Sequence, residues 1–357
     1  MLMLILSEDL IQKEDQPEEV YKQIPLLTTE CINWENVSVP ERLTYRIQEW
    51  NKVNAGIDIQ TGVTPNWSSI EALNQLEAIQ KYKEYHALLP QMLEYARQLE
   101  KEVKEDIVIQ IDQITIIKPT FLVPKPGNKW RKILDCRLVY AITNLVKFKM
   151  EGFEFIKQIL EKQNFTTTLD LEEAFHHIKV SSDLLPYFYF AFQERLFTYS
   201  GLSFGYKNSP FHFNKVLSIA IRDIRQRWNV KISNYIDDMV LLHPGKNYFK
   251  HATQEEIAYL QNLGFKIQPK KCRLFPSRIF NYLGWVWNAE DLEVKMTPQR
   301  RRMMKKEIKS WINAAMAHKT VRVRDIAKLL GELNFLRLQI QDASLLIAYQ
   351  TMTPFFL

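Results

Sequence analysis

Cysteine is scarce in this 357-residue sequence: its 3 thiols, Cys31, Cys136 and Cys272, stand far apart with no CxxC spacing. Neither a disulfide framework nor a zinc knuckle follows from the local sequence, and the usage fits a reducing compartment. Long apolar runs are missing too. No window approaches the roughly 20 consecutive apolar residues of a membrane span, and the apolar start at 1–6 runs straight into Ser7, Glu8 and Asp9 with neither a basic leader nor a cleavage site. The chain reads as neither membrane-spanning nor secreted. Internal repeats and low-complexity tracts are also lacking. A composition of 46% hydrophobic and 25% charged residues excludes collagen-like, fibrous and wholly disordered classes and leaves a globular protein of about two domains.

Charge is present but unevenly placed. Residues 1–110 carry 10 Lys and Arg against 19 Asp and Glu, a net of −9, whereas residues 111–357 carry 37 against 22, a net of +15. A segment that basic suits a polyanion, because Lys and Arg gain affinity for nucleic acid by releasing the counterions condensed on its phosphates. A well-solvated basic face would give the same count.

Residues 1–67 are acidic, lack sustained periodicity and contain scattered prolines, which reads as an N-terminal extension with at most short helices near 41–53. Ser68 and Glu71 then form a capping-box pattern before Ile70, Leu73, Leu76 and Ile79 at helical spacing, and the pattern resumes after Pro90 through Leu93, Ala96, Leu99 and Val103. From 107 the texture becomes β-branched. Strands are expected at 107–111, 114–117, 121–123 and 131–134, with a turn at 126–128, and later at 165–171, 187–192, 196–199, 231–235 and 239–242. Helices are expected between them at 153–162, 209–227 and 253–263. Without a βαβ rhythm this is an α+β chain. Its end turns helical, with Thr297 as N-cap and Pro298 at the first helical position, and a second helix over about 323–340.

The strongest chemical signal is Tyr235-Ile236-Asp237-Asp238 between two apolar strand-like runs. Adjacent carboxylates there repel and lose water unless a cation neutralises them. Asp170 closes another such strand. If the two strands are neighbours, three carboxylates meet at one sheet edge, the oxygen set that suits two Mg²⁺ ions about 3.5–4 Å apart in phosphoryl transfer.

These residues resemble the YxDD and preceding metal-binding motifs of reverse transcriptases. The run 168–178 carries Asp170 first; 125–137, KPGNKWRKILDCR, resembles the fingers hairpin; and 202–210 resembles the block beneath the templating base and nucleotide. Residues 263–272 and 280–285 resemble the lysine-bearing motif and the primer grip, so the likeness spans roughly 90–340 in six ordered blocks. Together with 322–331, Phe148 to Gly152 looks most like gypsy-like LTR and DIRS-type retrotransposon enzymes.

The resemblance implies a right-hand polymerase fold, with fingers and palm interleaved over 68–290 around an antiparallel sheet and a helical thumb over 291–357. It implies Asp170, Asp237 and, more weakly, Asp238 as metal ligands with the Leu171 carbonyl, for Mg²⁺ or substituting Mn²⁺. Lys125 and Arg131 would grip the triphosphate, Phe175 would exclude a 2′-hydroxyl, and Phe204 stands near the nucleotide where lentiviral enzymes have glutamine. Lys271, with Lys270 as the competing register, would protonate pyrophosphate, while Leu283, Gly284 and Trp285 form the primer grip and Arg301, Lys305 and Lys309 face the nucleic-acid backbone. His176, His177 and His212 read as packing or surface residues rather than ligands. The implied partners are an RNA or DNA template with primer and dNTPs, with RNase H and integrase or recombinase functions on other domains or chains, in the cytoplasm within a particle or in the nucleus. An RNA-dependent RNA polymerase and a catalytically silent nucleic-acid-binding relative are the alternatives; Phe175 and the intact carboxylates speak against each in turn.

Overall fold

A computed structural model of the chain describes residues 33–78, 84–112, 117–125, 127 and 129–334. Cys31, Ile79, the strand positions 114–116, the turn residues Pro126 and Asn128, and the expected helix end at 335–340 lie outside the described residues. The chain divides into two units, Met1–Phe280 with Asn288–Glu293, and Asn281–Trp287 with Val294–Leu357.

Three short helices, α1 (Arg42–Tyr45), α2 (Ile47–Lys52) and α3 (Gly56–Thr61), open the first unit. They are more than an appendage, because Val39, Leu43, Trp50, Ile59 and Val63 are buried in the main core. The Trp50 indole donates to the Leu263 carbonyl at 2.9 Å. Gly264 permits this seam: its φ is +100°, and a Cβ there would lie 2.5 Å from the Arg42 carbonyl oxygen.

The next helices are α4 (Ile70–Glu77) and α5 (Leu89–Lys104), the latter with Pro90 in its first turn. The cap of α4 is Ser69 rather than Ser68. Ser69 accepts from the Ala72 amide at 3.1 Å, while the Ser68 amide is tied to the Ile142 carbonyl at 2.7 Å. Strand β1 (Val108–Ile111) follows, then the hairpin of β2 (Thr120–Lys125) and β3 (Lys129–Leu134), with Lys125 opposite Lys129 at its tip. Two short helices, α6 (Arg137–Ile142) and α7 (Phe153–Ile159), lead to β4 (Phe165–Asp170). Strands β5 (Tyr189–Phe192) and β6 (Arg195–Tyr199) form a sheet of order β1-β6-β5.

The site is positioned by a second sheet. Long helix α8 (Ser209–Arg227) precedes β7 (Lys231–Tyr235) and β8 (Asp238–His243), and α9 (Lys246–Asn262) precedes β9 (Arg273–Ser277). These strands take the order β7-β8-β4-β9, and every pairing is antiparallel. Helix α9 packs beneath β8, β4 and β9, burying Phe249, Ala252, Ile257 and Leu260. It begins seven residues before the periodic run read from the sequence, because Phe249 and Ala252 commit its largely polar first turns to the core.

One buried group on α9 sets a pH dependence. Glu256 is fully buried, no donor among the described residues reaches its carboxyl oxygens, and burial with the charge of Glu255 pushes its pKa up to about 8. Below its ordinary 4.5 the carboxyl is protonated folded or unfolded; between there and about 8 only the folded chain keeps the proton, so stability falls as pH rises, and above about 8 the loss is complete. The melting midpoint of Glu256→Gln is therefore expected to draw ahead of wild type as pH rises from 4.5 to 9, and a gap that stays constant across that range would refute the assignment.

In the second unit, residues of β10 (Ile279–Tyr282), β11 (Trp285–Asn288) and β12 (Glu293–Met296) contribute to a three-stranded sheet, followed by α10 (Pro298–Met316) and α11 (Val323–Asn334). The Thr297 hydroxyl caps α10 by accepting from the Arg300 amide at 3.4 Å, and Lys328 of α11 lies 3.4 Å from Glu307 of α10.

Candidate active site

Strands β7 and β8 are joined by the two-residue loop Ile236-Asp237, flanked by the pair Tyr235 and Asp238. Ile236 has φ +57°, a left-handed conformation that a β-branched residue adopts only at a cost of about 1–3 kcal/mol, and such strain collects at functional turns. The loop projects Asp237 at the sheet end. Next to it, β4 and β8 pair so that Asp170 lies directly opposite Asp238, close enough for each carboxyl to shift the other. Sequence spacing alone left that adjacency open. Beyond β4, Leu171 pairs with Ile267 in an antiparallel bridge whose hydrogen bonds use the Asp170 carbonyl and the Glu172 amide. Leu171 therefore turns its own amide and carbonyl the other way, and that amide donates to the Asp237 carbonyl at 3.2 Å.

Asp170 is buried, and burial raises its carboxyl above the ordinary range against the opposing pull of Lys271. Asp238, partly open to solvent, is also raised, by desolvation and by the charges of Asp237 and Asp170. Lys271 supplies the balancing cation: its ammonium donates to both Asp170 oxygens, at 2.8 and 2.9 Å. Burial pulls Lys271 down, yet the bonds to Asp170 leave its pKa raised. Both lysines are exposed, and Lys271 is the one that reaches Asp170. Among the described residues no three His, Cys, Asp or Glu side chains close into a ready-made metal cluster. The donors nonetheless fit a hard divalent ion, being oxygens only, crowded enough to raise one another, and already neutralised by a cation at Asp170.

Other cations converge here. Lys125, at the end of β2, is lowered by burial and then by Arg131 and Lys271, with Glu173 and Asp237 opposing. Arg131 of β3 lays its guanidinium over the Phe204 ring, 4.4 Å from the centroid. Phe204 in turn lies 5.0 Å from Phe175, whose ring is buried and meets Phe213 at 5.9 Å. Gly205 brings this floor against β3: at φ +114°, a Cβ there would stand 1.9 Å from the Leu134 carbonyl oxygen, and the Leu134 amide donates to the Phe204 carbonyl at 2.9 Å.

A charge lattice that sequence reasoning missed braces the segment after Asp170. Lys101 of α5 reaches Glu173 at 2.6 Å and Glu172 at 3.3 Å, and Lys266 reaches Glu105 at 3.0 Å and Glu172 at 3.4 Å. Its partners stand some 70 to 160 positions apart, so no local spacing announces it. The histidines do pack. His177 is fully buried and held well below its usual pKa, at about 3, by burial and by Arg42; its Nε2 accepts from the Lys266 amide at 2.9 Å. His176 stacks on Tyr199, and His212 is lowered to about 4 by burial and Lys215.

In the second unit, Leu283 and Gly284 form a two-residue loop between β10 and β11 with φ +52° and +78°, the geometry of a tight hairpin. Trp285 is buried, so of the grip residues read from the sequence only Leu283 and Gly284 reach the surface. On α10, Lys309 is exposed and Arg301 and Lys305 are half-buried, one face apart from buried Met304.

The mixed helices and antiparallel sheets, one of them gathering carboxylates at its end, make up a polymerase fold. Residues 123–287 match the family described as "Reverse transcriptase (RNA-dependent DNA polymerase)". Over 188 residues it is 28% identical to the Gag-Pro-Pol polyprotein of Human T-cell leukemia virus 2, covering 50% of this chain and 13% of that one. It is 24% identical over 180 residues to the retrovirus-related Pol polyprotein from transposon 297 of Drosophila melanogaster, covering 49% and 17%. Both retroviral and retrotransposon relatives match, and neither branch is singled out. In fold it is similar to a foamy viral protease-reverse transcriptase solved in complex with ds DNA, with a TM-score of 0.66, 18% identity, and coverage of 97% of this chain and 57% of that one. The chain spans less than a fifth of the length of these curated relatives. The family uses divalent metal ions. No helix among the described residues is long and apolar enough to cross a membrane.

Proposed function

We propose that this chain is an RNA-directed DNA polymerase that adds dNTPs to the 3′ end of a primer paired with an RNA or DNA template. The observation that carries the reading is Asp170 facing Asp238 across β4 and β8, with Asp237 at the adjoining turn and Lys125, Arg131 and Lys271 close by. Asp170 and Asp237, with weaker help from Asp238 and the Leu171 carbonyl, would hold two Mg²⁺ ions, or Mn²⁺ in their place. When bound, those ions supply Lewis acidity that lowers the pKa of the primer hydroxyl and neutralises phosphate charge.

The chain's own residues do the rest. Lys125 and Arg131 bind the triphosphate, Arg131 through a planar fork that lysine cannot reproduce. Lys271, raised in pKa and therefore protonated at neutral pH, carries the proton that pyrophosphate needs on leaving. Phe175 sits under the sugar and rejects a 2′-hydroxyl. Fingers and palm occupy 68–290, where Leu283 and Gly284, backed by buried Trp285, hold the primer end, and the thumb occupies 291–357, where Arg301, Lys305 and Lys309 follow the duplex backbone. RNase H and integrase or recombinase functions belong to other domains or chains, and the setting is a cytoplasmic particle or the nucleus.

Primer extension on poly(rA) with oligo(dT), supplied with dTTP or UTP, tests the reading. Wild type is expected to use dTTP, and Phe175→Val to gain UTP incorporation by about 10- to 100-fold, the range that one steric contact commands. Efficient UTP use by wild type would indicate RNA synthesis. Folded wild type that binds primer-template in a salt-dependent way but extends nothing would indicate a binding protein.

A further inference from the structure

Glutamine and phenylalanine at position 204 differ in more than polarity, because the Phe204 ring has a partner: the Arg131 guanidinium rests on its face, 4.4 Å from the centroid. We propose that Phe204 is a positioning residue which parks Arg131 on its π face, so that the affinity for an incoming dNTP depends on this cation–π pair; the inference rests on the polymerase reading above.

Charge, hydrogen bonding and anchoring each support it. Lys125, close enough for the charge of Arg131 to act on it, repels that guanidinium and cannot hold it. No carboxylate does so in the described structure: the Arg131 Nε is buried with no hydrogen-bond partner among the described residues. The ring is the alternative holder, and it has an advantage over an acid. A guanidinium stacks through its flat face while its terminal N–H donors stay in the plane, so the ring fixes the cation without consuming the donors that a phosphate needs. A carboxylate would occupy that same fork.

The ring is itself fixed to the strand that carries Arg131. Its backbone carbonyl accepts from Leu134, three residues along β3, at 2.9 Å. Gly205 behind it tolerates the close approach to the Leu134 carbonyl, and Tyr140 donates its hydroxyl to the Gly205 carbonyl. Phe175 at 5.0 Å and His176 at 5.7 Å flank the ring. Ring and guanidinium are therefore referenced to one strand, and the same ring touches the residue placed under the sugar.

The deciding experiment replaces Phe204 with mono-, di- and trifluorophenylalanine, which keep its shape and progressively remove the negative face, and measures dNTP KM and kcat in primer extension. Phe204→Leu and Phe204→Trp are run beside them. The KM is expected to climb stepwise with fluorination to about tenfold, the effect of a single partly desolvated cation–π contact, with kcat moving less. Phe204→Leu should match the trifluoro form and Phe204→Trp should keep the KM low. A role in packing alone predicts a flat fluorination series, because the shape is unchanged. An active wild type with a flat series overturns the pairing and leaves the polymerase reading standing, whereas a wild type that extends no primer overturns both. Should Phe204→Leu melt early, the fluorinated series still decides.

Discussion

Asp237→Asn is expected to lower primer extension by at least about 10³-fold, the equivalent of several kcal/mol of lost metal-assisted stabilisation, while the chain stays folded. The structural contact at this position is made by the backbone: it is the Asp237 carbonyl that accepts from the Leu171 amide, and asparagine keeps it. The side chain contributes only charge, and that charge helps to raise the carboxyls of Asp170 and Asp238. Removing it relieves repulsion, so the melting midpoint should hold or rise slightly as activity collapses. Single-turnover extension and a thermal melt on the same preparation check both halves. Retained extension would remove Asp237 from the chemistry; a collapse of the melt would recast the loss as unfolding.

The largest expected stability effect lies one residue from Arg131. Lys132 points into the core from β3, its side chain 1% exposed, where it pairs with Glu102 of α5 and lies 4.6, 5.1 and 5.3 Å from the ring centroids of Phe190, Tyr199 and Tyr95. Burial draws its pKa down, with Glu102 opposing. Lys132→Ala empties this cage and strands the Glu102 carboxylate, and a loss of about 3–5 kcal/mol is expected. The pair is less valuable as a pair than its disruption suggests. Lys132→Met combined with Glu102→Leu should recover most of the loss, because replacing both ions with apolar groups removes the desolvation cost along with the attraction. Denaturant midpoints of the two variants measure this, and a double variant as unstable as Lys132→Ala would show that the ion pair itself holds β3 to α5.

Sequence reading reached the parts of the protein whose causes are local. Asp237 and Asp238 announce themselves because a two-residue turn between apolar strands acts over a handful of positions, and Thr297 with Pro298 announces α10 for the same reason. Where a neighbour in space competes, a local signal can slip: Ser69 displaced Ser68 as the cap of α4 because the Ser68 amide was claimed by Ile142, 74 positions away. Ile236 and Leu283 at positive φ ran against their side-chain type, and only the hairpins around them hold those angles.

What the sequence determined by itself was the inventory: the acids, the basic hairpin, the aromatic floor, the α+β texture and the order of the blocks along the chain. Tertiary structure decided which of these meet. Asp170 and Asp238 are 68 positions apart, and they share a face only because β4 and β8 pair in one register; a slip of one residue would turn Asp170 to the opposite side of the sheet. Lys271 rather than Lys270 reaches Asp170, Arg131 rests on Phe204 rather than on an acid, and β9 completes a sheet whose outer strand carried no distinctive pattern. Periodicity, caps and turns are settled within a few residues, whereas register and side-chain encounters are settled by the burial of the whole core, to which residues as distant as Trp50 and Leu263 contribute together.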